Sequence, residues 1–151
     1  MLKLSKIIDD SNIFIISATD KNEALNFLID KASKQSCVID KSLFRKELIG
    51  RENILSTGIG LGIAIPHVKS RAVSELTLVL GVSKKGIEFK AIDDKKVNFV
   101  FLVGVPEDEN TLYLQIISRI ILAMKNLDFQ KKLLACNSSL EIKELFDKLK
   151  K

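Results

Sequence analysis

The chain has 151 residues, 46% of them hydrophobic, and no Pro-, Gly- or Ser-rich linker divides it, so one domain spanning 1–151 with a real core is expected. Its net charge of +5 comes almost wholly from lysines interleaved with Asp and Glu, without tryptophan or an aromatic-basic signature, which argues against a nucleic-acid-binding function. No run of about 18 apolar residues is present, the N-terminus meets Asp9 and Asp10 instead of a secretory apolar region, and Cys37 and Cys136 stand alone, so no membrane insertion, no metal and no cofactor are expected in a cytoplasmic, thiol-reduced protein.

The apolar run Ile13-Phe14-Ile15-Ile16 predicts a first strand. Asp20, three residues before Glu23, predicts a helix start, and Ala24, Leu25, Leu28, Ile29 and Ala32 then share one face. A second helix is expected from about Asp40, with Leu43, Phe44 and Leu48 inward and Arg51 at its end, where the helix dipole favours a cation. Next comes Ser56-Thr57-Gly58-Ile59-Gly60-Leu61-Gly62, followed by the short alternating strand Ile63-Ala64-Ile65. Pro66 lacks an N–H and constrains its predecessor, so pairing is expected to stop there and to leave His67 at a strand end. Leu76–Val82 and Val97–Val105 are nearly continuous apolar runs, as central strands covered on both faces would be. Gly86 is expected in the turn between them, and Asp93-Asp94 marks a second turn. Helices are expected at about Glu109–Lys125, Phe129–Cys136 and Leu140–Lys150, with a frayed end over Lys148–Lys151. The fold class is therefore α/β, a mixed sheet flanked by helices on both faces.

His67 is the only histidine in the chain. Histidine offers a neutral ring nitrogen as nucleophile or base near pH 7, since its unperturbed pKa is about 6.5. The alternate glycines before it allow close backbone approach to a ligand, and successive N–H groups of such a loop can form an anion-binding nest. Two nucleotide motifs are excluded on spacing. Gly58-Ile59-Gly60-Leu61-Gly62 is followed by Ile63-Ala64, without the third glycine of a dinucleotide fingerprint, and no Gly-Lys-Ser/Thr follows as a P-loop requires. Both motifs also open a helix, whereas a strand follows here.

Arg51-Glu52-Asn53, Ser56-Thr57-Gly58-Ile59-Gly60, Gly62-Ile63-Ala64-Ile65-Pro66-His67, Gly86-Ile87-Glu88-Phe89 and Ala91-Ile92-Asp93 together resemble the enzyme IIA domain of the bacterial phosphoenolpyruvate-dependent sugar phosphotransferase system, of the fructose/mannitol and nitrogen-regulatory type. The resemblance continues through Val97–Pro106 and the segment around Tyr113–Ser118. It implies that His67 takes a phosphoryl group from a phosphohistidine of the small carrier HPr and passes it on, typically to a cysteine of a IIB partner. Arg51 matches the active-site arginine of that family, and its forked donors suit a phosphoryl group. Ser56 and Thr57 are candidate hydroxyl donors and the amide at Gly58 a candidate anion contact; as plain residues, they form a hydroxyl-capped turn. Many members carry a second histidine where this chain has Tyr113, which can donate a hydrogen bond to a phosphoryl oxygen but does not titrate near pH 7, or else only packs on its helix.

A nitrogen-regulatory role, in which the phosphorylation state alters binding to a target protein, is the main reading, because neither a IIB linkage nor a membrane domain is seen in the sequence. Sugar uptake through a IIB cysteine is the alternative, and an inert structural His67 the remainder. The resemblance implies phosphorylation on Nε2 of the ring, whereas nothing in the sequence itself selects between the two nitrogens.

Overall fold

The computed structural model describes residues 3–54 and 56–149. Its elements, in chain order, are α1 (Leu4–Ile7), a 3₁₀ turn (Asp10–Asn12), β1 (Ile13–Ile15), α2 (Lys21–Ala32), α3 (Lys41–Ile54), β2 (Gly58–Gly60), β3 (Ile63–Ala64), β4 (His67–Lys69), β5 (Thr77–Ile87), β6 (Val97–Val105), α4 (Asn110–Met124), α5 (Leu127–Ala135) and α6 (Ser139–Asp147). The strands form one mixed sheet in the order β1-β5-β6-β3-β2, with β4 also paired to β6. β5 and β6 run antiparallel, whereas β1 lies parallel to β5, and β3 and β4 parallel to β6.

Period-2 alternation along β6 builds two cores. Phe99, Phe101, Val103 and Val105 face a layer formed by α1, α4, α5 and α6, where Ile116, Ile120, Phe129, Leu133, Ile142 and Phe146 are buried. Val100 and Leu102 face α2 and α3, where Ala24, Leu28, Ile29, Phe44 and Leu48 are buried. The expected sheet with helices on both faces is what forms. Gly104 allows close packing on the second face, since a Cβ there would meet Phe44 at 2.8 Å and Thr77 at 2.9 Å. Asp20 caps α2 by accepting the Glu23 N–H at 2.9 Å, and Glu23 accepts the Thr19 N–H in return. Asp40 accepts the Leu43 N–H at the start of α3.

Two local expectations are corrected. Pairing does not stop at Pro66: Ile63 stands opposite Phe99 and His67 opposite Val103, so β3 and β4 keep one register along β6. Proline removes one ladder donor, yet its carbonyl still accepts the Val103 N–H at 2.9 Å, and His67 opens a strand instead of ending one. Gly86 is not in the turn between β5 and β6. It lies inside β5 at φ +90°, where the ladder slips between Val82 and Ile87, and the chain reverses at Ala91–Asp94, where Asp94 N–H bonds to the Ala91 carbonyl. The 3₁₀ turn, α1 and β2 carry too short a periodic signal to be expected. Of the expected frayed end, Lys150 and Lys151 lie outside the described residues.

Candidate functional site

The glycine-rich segment is a hairpin, β2 turning into β3 through Gly60 (φ +94°), Leu61 (φ +58°) and Gly62 (φ +75°). Three successive residues with positive φ explain two of the glycines: an L side chain is strained there, and only Leu61 among the three accepts that cost. The hairpin is held from outside by Gln130 of α5, whose amide donates to the Leu61 carbonyl at 3.0 Å and to the Met124 carbonyl at 2.7 Å. The alternate glycines thus serve the turn. The free amides of an anion nest are not found at Gly58, whose N–H donates to Ser56 Oγ at 3.1 Å.

Beyond the hairpin, β3 and β4 deliver His67 to a cavity of about 170 Å³. Arg51, Ser56 and Thr57 line it beside His67, and Ile59, Ile65, Ile117 and Ile121 supply apolar walls. The expected pair, Arg51 and His67, is therefore brought together from the end of α3 and the start of β4. Among the described residues Arg51 has neither a carboxylate partner nor a hydrogen-bond partner, so its guanidinium fork is available to an anion.

The ring of His67 is held by a short contact of 2.5 Å between Nδ1 and the Ile65 carbonyl oxygen. A carbonyl can only accept, so Nδ1 carries the proton and Nε2 keeps its lone pair. Burial lowers the pKa of His67 below its ordinary value, and the nearby Arg51 charge lowers it further; the Ile65 bond and the Glu52 charge oppose this without reversing it. The imidazole is accordingly neutral at pH 7, as a nucleophile must be.

The other expected contacts are arranged differently. Ser56 Oγ donates to the Phe89 carbonyl at 2.9 Å, and Thr57 is buried, its hydroxyl donating to Glu52 Oε1 at 2.6 Å. These protons are used on acceptors in α3 and after β5, and both residues shape the wall of the cavity. Tyr113, on the first turn of α4, sits beside the imidazole with ring centroids 5.2 Å apart and planes tilted by 56°. Lys69 Nζ lies 5.1 Å from the Tyr113 ring centroid and donates to Asn110 Oδ1 at 2.6 Å.

One residue escaped the sequence reading. Glu52 is only 3% exposed and accepts the Thr57 N–H at 2.8 Å, the Thr57 hydroxyl and an ion pair from Lys21 Nζ at 2.6 Å. The signal was available: Glu52 continues the i, i+4 row of Phe44 and Leu48, so it is a charge on the buried stripe of α3. Among the described residues no group of three or more His, Cys, Asp or Glu is placed to hold a metal ion, and no helix is long and apolar enough to cross a membrane.

Residues 6–149 match the family model described as phosphoenolpyruvate-dependent sugar phosphotransferase system, EIIA 2. The fructose-specific EIIA component of Haloferax volcanii is 35% identical over 125 residues, covering 83% of this chain and 81% of that protein. Among solved structures, the nitrogen regulatory protein IIA-Ntr from Neisseria meningitidis superposes with a TM-score of 0.85 at 22% identity, covering 95% of this chain and 98% of that one. The mannitol enzyme IIA of Escherichia coli, solved in complex with phosphorylated enzyme IIB, gives a TM-score of 0.77 at 23% identity over 91% of this chain and 94% of its own.

Proposed function

Since the chain belongs to the EIIA 2 family of the phosphoenolpyruvate-dependent sugar phosphotransferase system, we propose that His67 is the residue through which it carries the phosphoryl group. The observation that carries this reading is the orientation of the ring: Nδ1–H is tied to the Ile65 carbonyl, which leaves the Nε2 lone pair in a cavity shared with Arg51. In the proposed step, Nε2 attacks the phosphorus of a phosphohistidine on an HPr-like carrier. The new N–P bond forms as the donor N–P bond breaks, and the bonding pair returns to the donor imidazole. Each ring keeps its other N–H, so no proton need move. Catalysis is then a matter of positioning and of stabilising charge on the equatorial oxygens, which falls to the Arg51 fork. Ser56 and Thr57 frame the phosphoryl site and Tyr113 supports the imidazole from α4.

A phosphoryl group here adds nearly two negative charges to a rim that includes the exposed Ile59, and this change of surface suits a regulatory protein read by a target according to its phosphorylation state. The fructose-specific name of the Haloferax volcanii relative favours the second reading, in which the group passes to a cysteine of a IIB partner. The test is transfer of label from phosphoenolpyruvate through enzyme I and HPr to the wild type, His67→Ala and Arg51→Ala. Acid-labile, base-stable label is expected on the wild type and none on His67→Ala. Arg51→Ala is expected to accept label about 100- to 1000-fold more slowly with an unchanged fold, because the side chain is exposed. Label on His67→Ala would overturn the assignment. Adding a IIB domain then separates the two roles by whether the label moves on.

A further inference from the structure

Glu52 occupies a costly position. It is an anion in the last turn of α3, the negative end of the helix dipole, and its carboxylate is almost fully buried. Lys21, which pairs with it, is equally out of place as a cation at the first residue of α2. Two neighbouring residues that each break a local rule point to a requirement elsewhere in the molecule.

The hydrogen bonds show where. Glu52 Oε2 accepts the Thr57 N–H at 2.8 Å; the Thr57 carbonyl accepts the Ile65 N–H at 3.1 Å; the Ile65 carbonyl accepts from Nδ1 of His67 at 2.5 Å. The N–H and C=O of each residue in this series belong to different peptide units, so what is transmitted is position and not polarisation. On its other side Glu52 follows Arg51 directly in the chain. We propose that Glu52 is a positioning residue for phosphoryl transfer, its buried carboxylate pinning Thr57 so that the Thr57–Ile65 backbone bond holds His67 in the tautomer with Nε2 free and in register with Arg51. Lys21 anchors the carboxylate, and the cation also lies 5.1 Å from the Phe89 ring centroid, which fixes it against the sheet side of α2. This inference rests on His67 and Arg51 carrying the transfer.

The experiment measures kcat and KM for phosphoryl acceptance from phospho-HPr, and the ¹⁵N resonances of the His67 ring at alkaline pH, in the wild type, Glu52→Gln, Thr57→Val and the double variant. Glu52→Gln removes the charge and leaves Lys21 unpaired; Thr57→Val removes one of the two bonds to Thr57 and keeps the fold within reach if the first variant does not fold. The expected result is a kcat lower by about 10- to 100-fold for Glu52→Gln with KM little changed. A smaller loss is expected for Thr57→Val, with a double variant no slower than Glu52→Gln and ring resonances moving toward a mixture of tautomers. A folded Glu52→Gln with wild-type kcat and a single Nδ1–H tautomer overturns the inference, as does wild-type behaviour of Thr57→Val where Glu52→Gln fails to fold. A wild type that accepts no label at His67 overturns the underlying reading and this inference with it, whereas label at His67 with unaffected variants overturns this inference alone.

Discussion

His67 is held by a bond to one nitrogen and left bare at the other, and its burial gives a definite pH dependence. Free imidazole protonates below about pH 6.5, whereas the folded ring, with its pKa lowered mainly by burial, stays neutral to lower pH. Phosphoryl acceptance is therefore expected to hold level as pH falls through 6.5 and to drop only below the lowered value. A pH–rate profile with its acid limb centred at or above 6.5 would contradict the role given to burial. The same shift acts on stability. As pH falls below 6.5 the unfolded chain takes up the proton first, so the contribution of His67 is present above that pH and is lost as pH falls toward the folded value. Thermal melts of wild type and His67→Gln across that window should diverge for this reason. Arg51 and Glu52 act on the ring with opposite signs, the arginine lowering its pKa and the carboxylate raising it.

The hairpin from β2 to β3 positions the ring through its backbone. Gly62 sits at φ +75°, and a Cβ there would also meet Asn98 Oδ1 at 3.3 Å. Gly62→Val puts a β-branched residue into left-handed backbone, which is expected to cost at least about 1–2 kcal/mol. Its melting temperature should fall, and transfer to His67 should slow because Ile65, the acceptor for Nδ1, lies three residues further along the chain, just past β3. An unchanged melting temperature and transfer rate would show that the turn does not depend on glycine at this position. The helices on either side were readable from their periodicity and caps, as α2 illustrates: every one of Ala24, Leu25, Leu28, Ile29 and Ala32 is buried. The expected end of pairing at Pro66 failed because a single missing donor is a local loss, while the register along β6 is a property of the whole ladder.

The site lies where the two layers of the molecule meet at the sheet. Arg51 comes from α3 on one face, Ile117 and Ile121 from α4 on the other, and His67 from the strand between them. Both layers are seated on β6, so its side chains support the site from a distance. Phe101 is fully buried opposite Leu80 of β5, and Phe101→Ala is expected to cost about 3–5 kcal/mol, a large share of the roughly 5–15 kcal/mol of a typical domain. A denaturant midpoint close to that of the wild type would refute this weight on the central strand. The α/β class, the helix faces and the central strands could be read from the chain, because periodicity and caps are local signals, and the motif resemblance pointed to Arg51 and His67, which the fold brings to one cavity. The hydrogen-bond partners of Ser56, Thr57 and Gly58, the contact that ties Nδ1 of His67 and the buried ion pair of Glu52 could not be read from the chain. Each depends on which partner a polar group finds across the fold, and Thr57 bonding to Glu52 and the Ile65 carbonyl accepting from Nδ1 of His67 are contacts that arise only once α3, the hairpin and β6 are packed together.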